Sequence, residues 1–270
     1  MKKNIFIMIA ICLFFALPAF AGTLTQDVKL FAHRGLTINF PENSFEAIKA
    51  AKDFGLYGTE IDLRTTKDKK IILFHDKNLG RLTTGKGNII DKNFSQIHLF
   101  NLKNRQGRET IYKIPLFENV LIKVKKWQGF FLALDIKNVD VNKVCELVVK
   151  YKLKNRVYFF IPGPKAVATA KKIKAFDPDL MISIDLLNWW QIMDIPEFVI
   201  KALDADAVFA SEWFFPRHGF SEARQANAQV QVFLYGSHDL PARMDRAIKL
   251  GAQVISSDYP DILSRHLKSR

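Results

Sequence analysis

The sequence predicts an α/β protein, a single-domain (β/α)8 barrel of the TIM-barrel architecture, on three observations. Short β-rich runs recur with amphipathic helical stretches between them, which implies parallel strands joined by crossover helices. The alternation covers most of the chain, and no low-complexity segment or linker divides it. Polar residues gather at the C-terminal ends of several runs, and those ends share one face of such a barrel. An open doubly wound sheet satisfies the first two observations equally.

Residues 1–21 are set apart from the fold. Met1-Lys2-Lys3 is a basic start, residues 5–17 are nearly all apolar, and Ala19-Phe20-Ala21 is a small-x-small exit. This is the layout of a secretory signal peptide, and the apolar run is short for a membrane span. Cleavage after Ala21 leaves residues 22–270 as the barrel domain and predicts a periplasmic or secreted protein. Cys12 departs with the signal, so Cys145 is the only cysteine left. It sits among Val144, Leu147 and Val148 and reads as a buried helix residue.

The strand candidates are residues 28–32, 58–63, 71–75, 130–136, 156–161, 180–185, 207–210, 229–235 and 253–256. Nine candidates for eight barrel positions place one outside the ring. Helical stretches follow at 44–54, 116–126, 141–151, 165–175, 241–250 and 261–268. Asn43 and Glu46 have capping-box spacing for the first of these. Only a turn fits between 63 and 71. A longer irregular section spans 76–115, a length that in a compact domain belongs to functional or mobile loops.

Hydrophobic residues are 49% of the chain and charged residues 25%, which excludes a disordered chain, a collagen-like fibre and a disulfide knot. Lys and Arg number 40 against 27 Asp and Glu, a formal charge of +13. Removing Lys2 and Lys3 lowers the surplus by two, to eleven. Such a surplus favours anionic partners. Phosphates or acidic lipid fit that surplus, and so does a plain basic soluble surface.

Four runs deliver chemistry. His33-Arg34-Gly35 follows the first, Glu60 and Asp62 end the second, His75-Asp76 ends the third, and Asp135 and Lys137 end the fourth. Glu60 and Asp62 are two apart and project on the same side of their strand. With Asp135 they form a hard oxygen site suited to Mg²⁺ or Ca²⁺. A solvated pair, or one salt-bridged to Arg64, is the structural alternative. His33 and His75 beside a divalent ion suit general acid–base work on a phosphoester. Arg34 offers a planar donor fork and Lys137 a point charge for phosphate oxygens.

The ordered string resembles the glycerophosphodiester phosphodiesterase family. It runs through His33-Arg34-Gly35, Pro41-Glu42-Asn43-Ser44, Glu60-Ile61-Asp62, Phe74-His75-Asp76 and the segment from Leu79 to Gly87. It continues in weaker form through Ile114 to Leu121, Leu134-Asp135-Ile136-Lys137 and Ser257-Asp258-Tyr259-Pro260. The resemblance implies a divalent-metal hydrolase that acts on a small-molecule phosphodiester, with transient contact with an anionic lipid surface and no nucleic-acid partner, and that releases an alcohol and glycerol 3-phosphate. His33 and His75 would be the acid–base pair, Glu60, Asp62 and Asp135 the metal ligands, and Arg34 and Lys137 the phosphate-binding residues. Attack by the substrate's neighbouring hydroxyl and attack by water both fit. Asp135 stands where the family usually has Glu. Phe160-Ile161-Pro162-Gly163 and Phe233-Leu234-Tyr235 also depart from its pattern, which bears on the alcohol side of the pocket. Residues 213–216, together with the basic charge, motivate an alternative, a membrane-acting lysophospholipase D or sphingomyelinase D-like activity.

Overall fold

The computed structural model describes residues 28–161, 166–185, 197–211 and 220–269. The signal segment and the aromatic stretches 189–190 and 213–216 lie outside the described residues. In chain order the first strands are β1 (Lys29–His33), β2 (Gly58–Thr65), β3 (Ile71–Leu73), β4 (Asn101–Lys103) and β5 (Glu109–Lys113). Then come β6 (Phe131–Asn138), β7 (Val157–Ile161), β8 (Met181–Asp185), β9 (Ala207–Ser211), β10 (Gln229–Leu234) and β11 (Val254–Ser257). The helices are α1 (Phe45–Asp53), α2 (Phe94–Ile97), α3 (Phe117–Val124), α4 (Val141–Lys150) and α5 (Ala166–Phe176). α6 (Glu197–Ala202), α7 (Ser221–Gln225), α8 (Leu240–Leu250) and α9 (Pro260–Lys268) complete the series.

Eight strands form a closed parallel ring in the order β1-β11-β10-β9-β8-β7-β6-β2, sealed by the pairing of β1 with β2. Closure removes every edge from the ring, so the barrel stands and the open sheet does not. The two-residue period divides each strand between two cores. Leu30 and Ala32 of β1, Ile61 and Leu63 of β2, and Leu132 and Leu134 of β6 pack outward in the cluster that also holds the helices. Phe31, Ala133, Tyr158, Ala207 and Val254 fill the barrel interior. Phe160, Phe209 and Phe233 form a second interior layer of edge-to-face rings. Gly58 has no side chain because β6 runs too close: an added Cβ would lie 2.6 Å from the Phe131 carbonyl oxygen.

The outer helices follow their apolar spacing. α3 buries Phe117, Val120, Leu121 and Val124, one stripe at i, i+3, i+4 and i+7. Each such side chain contributes about 1.5–3 kcal/mol on burial. α4 starts at Asp140, whose side chain accepts the Asn142 N–H, and buries Val144, Cys145 and Val148. Burial pushes the Cys145 thiol up to about 12, so it is an inert core residue. Among the described residues, no helix is long and apolar enough to cross a membrane.

Three expectations change. β3 is the ninth candidate and lies outside the ring, pairing antiparallel with the end of β2 through Leu63–Leu73 and Thr65–Ile71. The capping box at Asn43 is absent. Ser44 is the N-cap of α1 and accepts from Ala47 N–H, because Asn43 is needed elsewhere. The section 76–115 is an ordered insertion with its own core of Leu79, Leu82, Ile89, Ile97, Leu102 and Ile114, packed on Ile72 and Phe74 and carrying the β4–β5 hairpin.

Candidate active site

All seven candidate residues gather at the C-terminal face of the ring, each for a local reason. His33 is the last residue of β1, and Glu60 and Asp62 occupy consecutive inward positions of β2. Asp135 is the direct neighbour of Asp62 across β2 and β6, and Lys137 is the next inward residue of β6. His75 reaches the face by another route. β3 runs back down against β2, and the Phe74 N–H donates to the Asp62 carbonyl at 3.0 Å. The antiparallel return therefore sets His75 beside the carboxylates, as a further barrel strand could not.

One oxygen each of Glu60, Asp62 and Asp135 lies within 4.8 Å of the others, and all three residues are buried. Buried like charges at that separation must be compensated. Arg34 Nε stands 3.1 Å from Asp62 Oδ2, and Lys137 Nζ is 3.2 Å from Asp62 Oδ1 and also bonds Asp135. The Arg34 backbone N–H donates to Glu60 at 3.2 Å. Three carboxylates against two cations leave one negative charge. Burial, reinforced by Asp62 and Asp135, pushes the Glu60 carboxyl well above the usual range. Burial also raises Asp135, with Asp62 adding to it and Lys137 opposing. Burial works upward on Asp62 too, but Arg34, Lys137 and His75 together outweigh it and hold Asp62 low. Arg64 takes no part in this pairing. Its Nε donates to the His75 carbonyl at 2.7 Å, so the salt-bridge alternative fails.

The residues fit a divalent cation. Asp135 Oδ1 is buried without a hydrogen-bond donor, a costly state that a cation would relieve. Three hard oxygens converge with one uncompensated negative charge, which is oxygen-cation chemistry.

Each imidazole is held by a carboxylate. His33 Nδ1 lies 2.7 Å from Asp258 Oδ1, with Nε2 facing Glu60 at 3.8 Å. His75 Nδ1 lies 2.7 Å from Asp76 Oδ1, and Arg81 grips Asp76 with a fork at 2.7 and 2.8 Å. A carboxylate at Nδ1 places the proton there and leaves Nε2 for chemistry. The Arg81 fork, more than burial or His75, sets the Asp76 carboxyl at about 2. Phe233 and Tyr235 stand edge-on to the His33 ring at 5.2 and 5.7 Å.

The turn after β1 builds the floor. Arg34 and Gly35 both take positive φ, 60° and 90°, which aims the Arg34 N–H at Glu60. Gly35 is obligatory, since a Cβ would lie 2.5 Å from Ala47 Cβ. Asn43, also left-handed, clasps Asp62 twice: its amide donates to Oδ2 at 2.8 Å, and its carbonyl accepts the Asp62 N–H at 3.0 Å. Glu42 accepts from Arg34 at 2.9 Å and from Arg81 at 3.3 Å. The supporting roles of Asn43, Asp76, Arg81 and Asp258 were not assigned from sequence. Their motif neighbours marked them, but the signal for a role is the partner, and Asp258 is 225 residues from His33.

A parallel barrel whose C-terminal face carries a three-carboxylate cluster between two carboxylate-held histidines defines a barrel-type phosphoester hydrolase. The profile of the Glycerophosphoryl diester phosphodiesterase family matches residues 33–262. The chain belongs to that family. The glycerophosphodiester phosphodiesterase of Bacillus altitudinis is 32% identical over 245 residues, 86% of this chain and 95% of that protein. That of Caldanaerobacter subterraneus subsp. tengcongensis is 26% identical over 248 residues, 87% and 95% of the two chains. Among solved structures, the glycerophosphodiester phosphodiesterase of Agrobacterium tumefaciens superposes with a TM-score of 0.75 at 22% identity, covering 88% of this chain and 99% of that one. An Oleispira antarctica phosphodiesterase in complex with the product sn-glycerol-3-phosphate superposes at 0.72 with 21% identity, covering 89% and 96%.

Proposed function

We propose that the protein hydrolyses glycerophosphodiesters to an alcohol and glycerol 3-phosphate, using a divalent cation and two histidines. The observation that carries this is the pair of carboxylate-held imidazoles flanking the Glu60–Asp62–Asp135 cluster. Family membership and the product-bound Oleispira relative support it.

Glu60, Asp62 and Asp135 hold the cation, Mg²⁺ or Ca²⁺. When bound, it neutralises charge on the phosphoryl oxygens. Arg34 and Lys137 orient the phosphate. His33 Nε2 takes the proton of the attacking oxygen as the new P–O bond forms; where that oxygen is the neighbouring glycerol hydroxyl, the cyclic phosphate that results is opened by a water in a second step to give glycerol 3-phosphate. His75 Nε2 gives its proton to the alcohol oxygen as the old P–O bond breaks. Asp258 and Asp76 stabilise whichever imidazole is charged.

His75→Ala is expected to lower kcat/KM for glycerophosphoinositol about 10²–10⁴-fold with an unchanged circular dichroism spectrum. Release of glycerol 3-phosphate at the wild-type rate would sink the assignment. Chelation should abolish turnover, and Mg²⁺ or Ca²⁺ should restore it. The segment 1–21 is proposed to be removed on export, so N-terminal sequencing of the exported protein should begin at Gly22.

A second reading has one observation in its favour. Leu99 and Ile111, beside and on the β4–β5 hairpin, are 75% and 83% exposed, as residues that meet lipid would be. Under a lysophospholipase D or sphingomyelinase D-like activity, lysophosphatidylcholine would be cleaved and glycerophosphocholine spared.

A further inference from the structure

Two hollows open beside the cations that hold the carboxylate cluster, one at Arg34 and one at Lys137, and they differ in size and in whether acids line them. The smaller, about 310 Å³, is lined by His33, Arg34, Arg81, Lys103 and Arg105 and by two acids, Glu42 and Asp258. There, Arg34 and Arg81 both fork onto Glu42, and Asp258 is held by His33. The larger, about 570 Å³, is lined by Arg64, Lys77, Lys137, Asn88, Asn138 and Ile90, with Thr65 and Ile89. Among the described residues that line it, none is a carboxylate. Lys137 is committed to Asp62 and Asp135, and Arg64 Nε to the His75 carbonyl. The Lys77 ammonium is exposed and has no hydrogen-bond or ion-pair partner among the described residues.

Resting on the reading of the protein as a glycerophosphodiesterase, we propose that this larger hollow receives the alcohol half of the diester. It selects alcohols bearing a second anionic group, a phosphomonoester above all, with Lys77 as the specificity-determining residue. The size difference assigns the halves. Glycerol 3-phosphate is small and common to every substrate, whereas the alcohol varies and needs the larger space. The charge assigns the chemistry. Lys77 and Arg64, in a lining that holds no acid, attract a phosphomonoester through charge-assisted hydrogen bonds. They repel a quaternary ammonium by like-charge juxtaposition, so selection works in both directions. The Asn88 and Asn138 amides add neutral polar groups, and Ile90 forms an apolar rim for the carbon skeleton of the alcohol.

The test is a matched pair of substrates, glycerophosphoinositol 4-phosphate and glycerophosphoinositol, followed by release of glycerol 3-phosphate from the metal-loaded enzyme. The phosphorylated diester should have the higher kcat/KM by about tenfold, the order expected for one or two charge-assisted contacts. Lys77→Ala should collapse that ratio toward one, and Lys77→Arg should keep most of it. Lys150→Ala, on the outer face of α4, removes the same charge far from the face and should leave the ratio unaltered. Equal kcat/KM for the two diesters in the wild type would overturn the selection. So would a loss in Lys77→Ala that is equal for both, since that marks a structural role. Failure of the enzyme to cleave either diester with any divalent ion would instead overturn the underlying activity.

Discussion

Asn43 shows how much one side chain contributes when its backbone is forced. Its positive φ costs about 1 kcal/mol less for Asn than for most residues, and the turn spends that allowance on two hydrogen bonds to Asp62. Asn43→Ala is expected to weaken metal binding by about 10–100-fold, as loss of a partner to a ligating carboxylate does. Metal titration by calorimetry measures it, and unchanged affinity would contradict the role. Asp76 makes a pH prediction. Its carboxyl sits at about 2 in the folded protein against 3.8 unperturbed, chiefly through Arg81. A depressed acid adds stability above its unfolded value and loses it as pH falls through the folded one. Wild type should therefore exceed Asp76→Asn by about 1 kcal/mol above pH 4, a figure reduced for screening at a partly exposed site. The advantage should disappear by about pH 2. Denaturant unfolding at both pH values checks it.

At the scale of elements, the β1–α1 connection is the tightest joint in the site. Gly35 N–H donates to Thr59 Oγ1 at 2.9 Å, and Leu36 N–H to the Ala47 carbonyl at 2.9 Å, so the turn is clamped between β2 and α1. Gly35→Ala meets both the φ of 90° and the Ala47 clash. It should destabilise the protein by about 2–4 kcal/mol and displace the Arg34 N–H from Glu60. Thermal unfolding together with kcat reads both effects. β3 is the other decisive element. Its residues read as an ordinary apolar run, and nothing within them distinguishes a barrel strand from a return strand. The short turn at 66–70, too brief for a helix, is the clue. Tight turns join antiparallel strands, whereas parallel ones need a crossover. The insertion read as irregular for a related reason. Its apolar residues are spaced to fill a small separate core and show no single period that a window can detect.

For the whole molecule, the cation and the fold are linked through protons. Glu60 titrates far above its ordinary 4.5 because it is buried beside Asp62 and Asp135, and Asp135 is raised as well. A raised acid contributes stability below its unfolded value, and that contribution is lost as pH climbs toward the folded one. The metal-free protein therefore weakens above about pH 4.5 as these carboxyls are forced to ionise. A divalent cation held by the three carboxylates, as proposed, would bind the ionised form and offset the loss. The rise in Tm on adding Mg²⁺ or Ca²⁺ should be larger at pH 8 than at pH 5. Glu60→Gln should flatten that dependence. A metal-induced shift of constant size across the range would refute the linkage.

The sequence by itself determined the alternation of strands and helices, the inward spacing of Glu60 and Asp62, and the presence of His33, His75 and Asp135 at strand ends. These follow from side-chain periods of two and from the rule that a barrel works at its C-terminal face, and both are local properties. The tertiary structure alone decided the downward return of β3 that delivers His75, the left-handed Asn43 that clasps Asp62, and the Asp258 carboxylate that orients His33. Those depend on contacts between segments distant along the chain, where ring closure and packing, rather than neighbouring residues, set which groups meet.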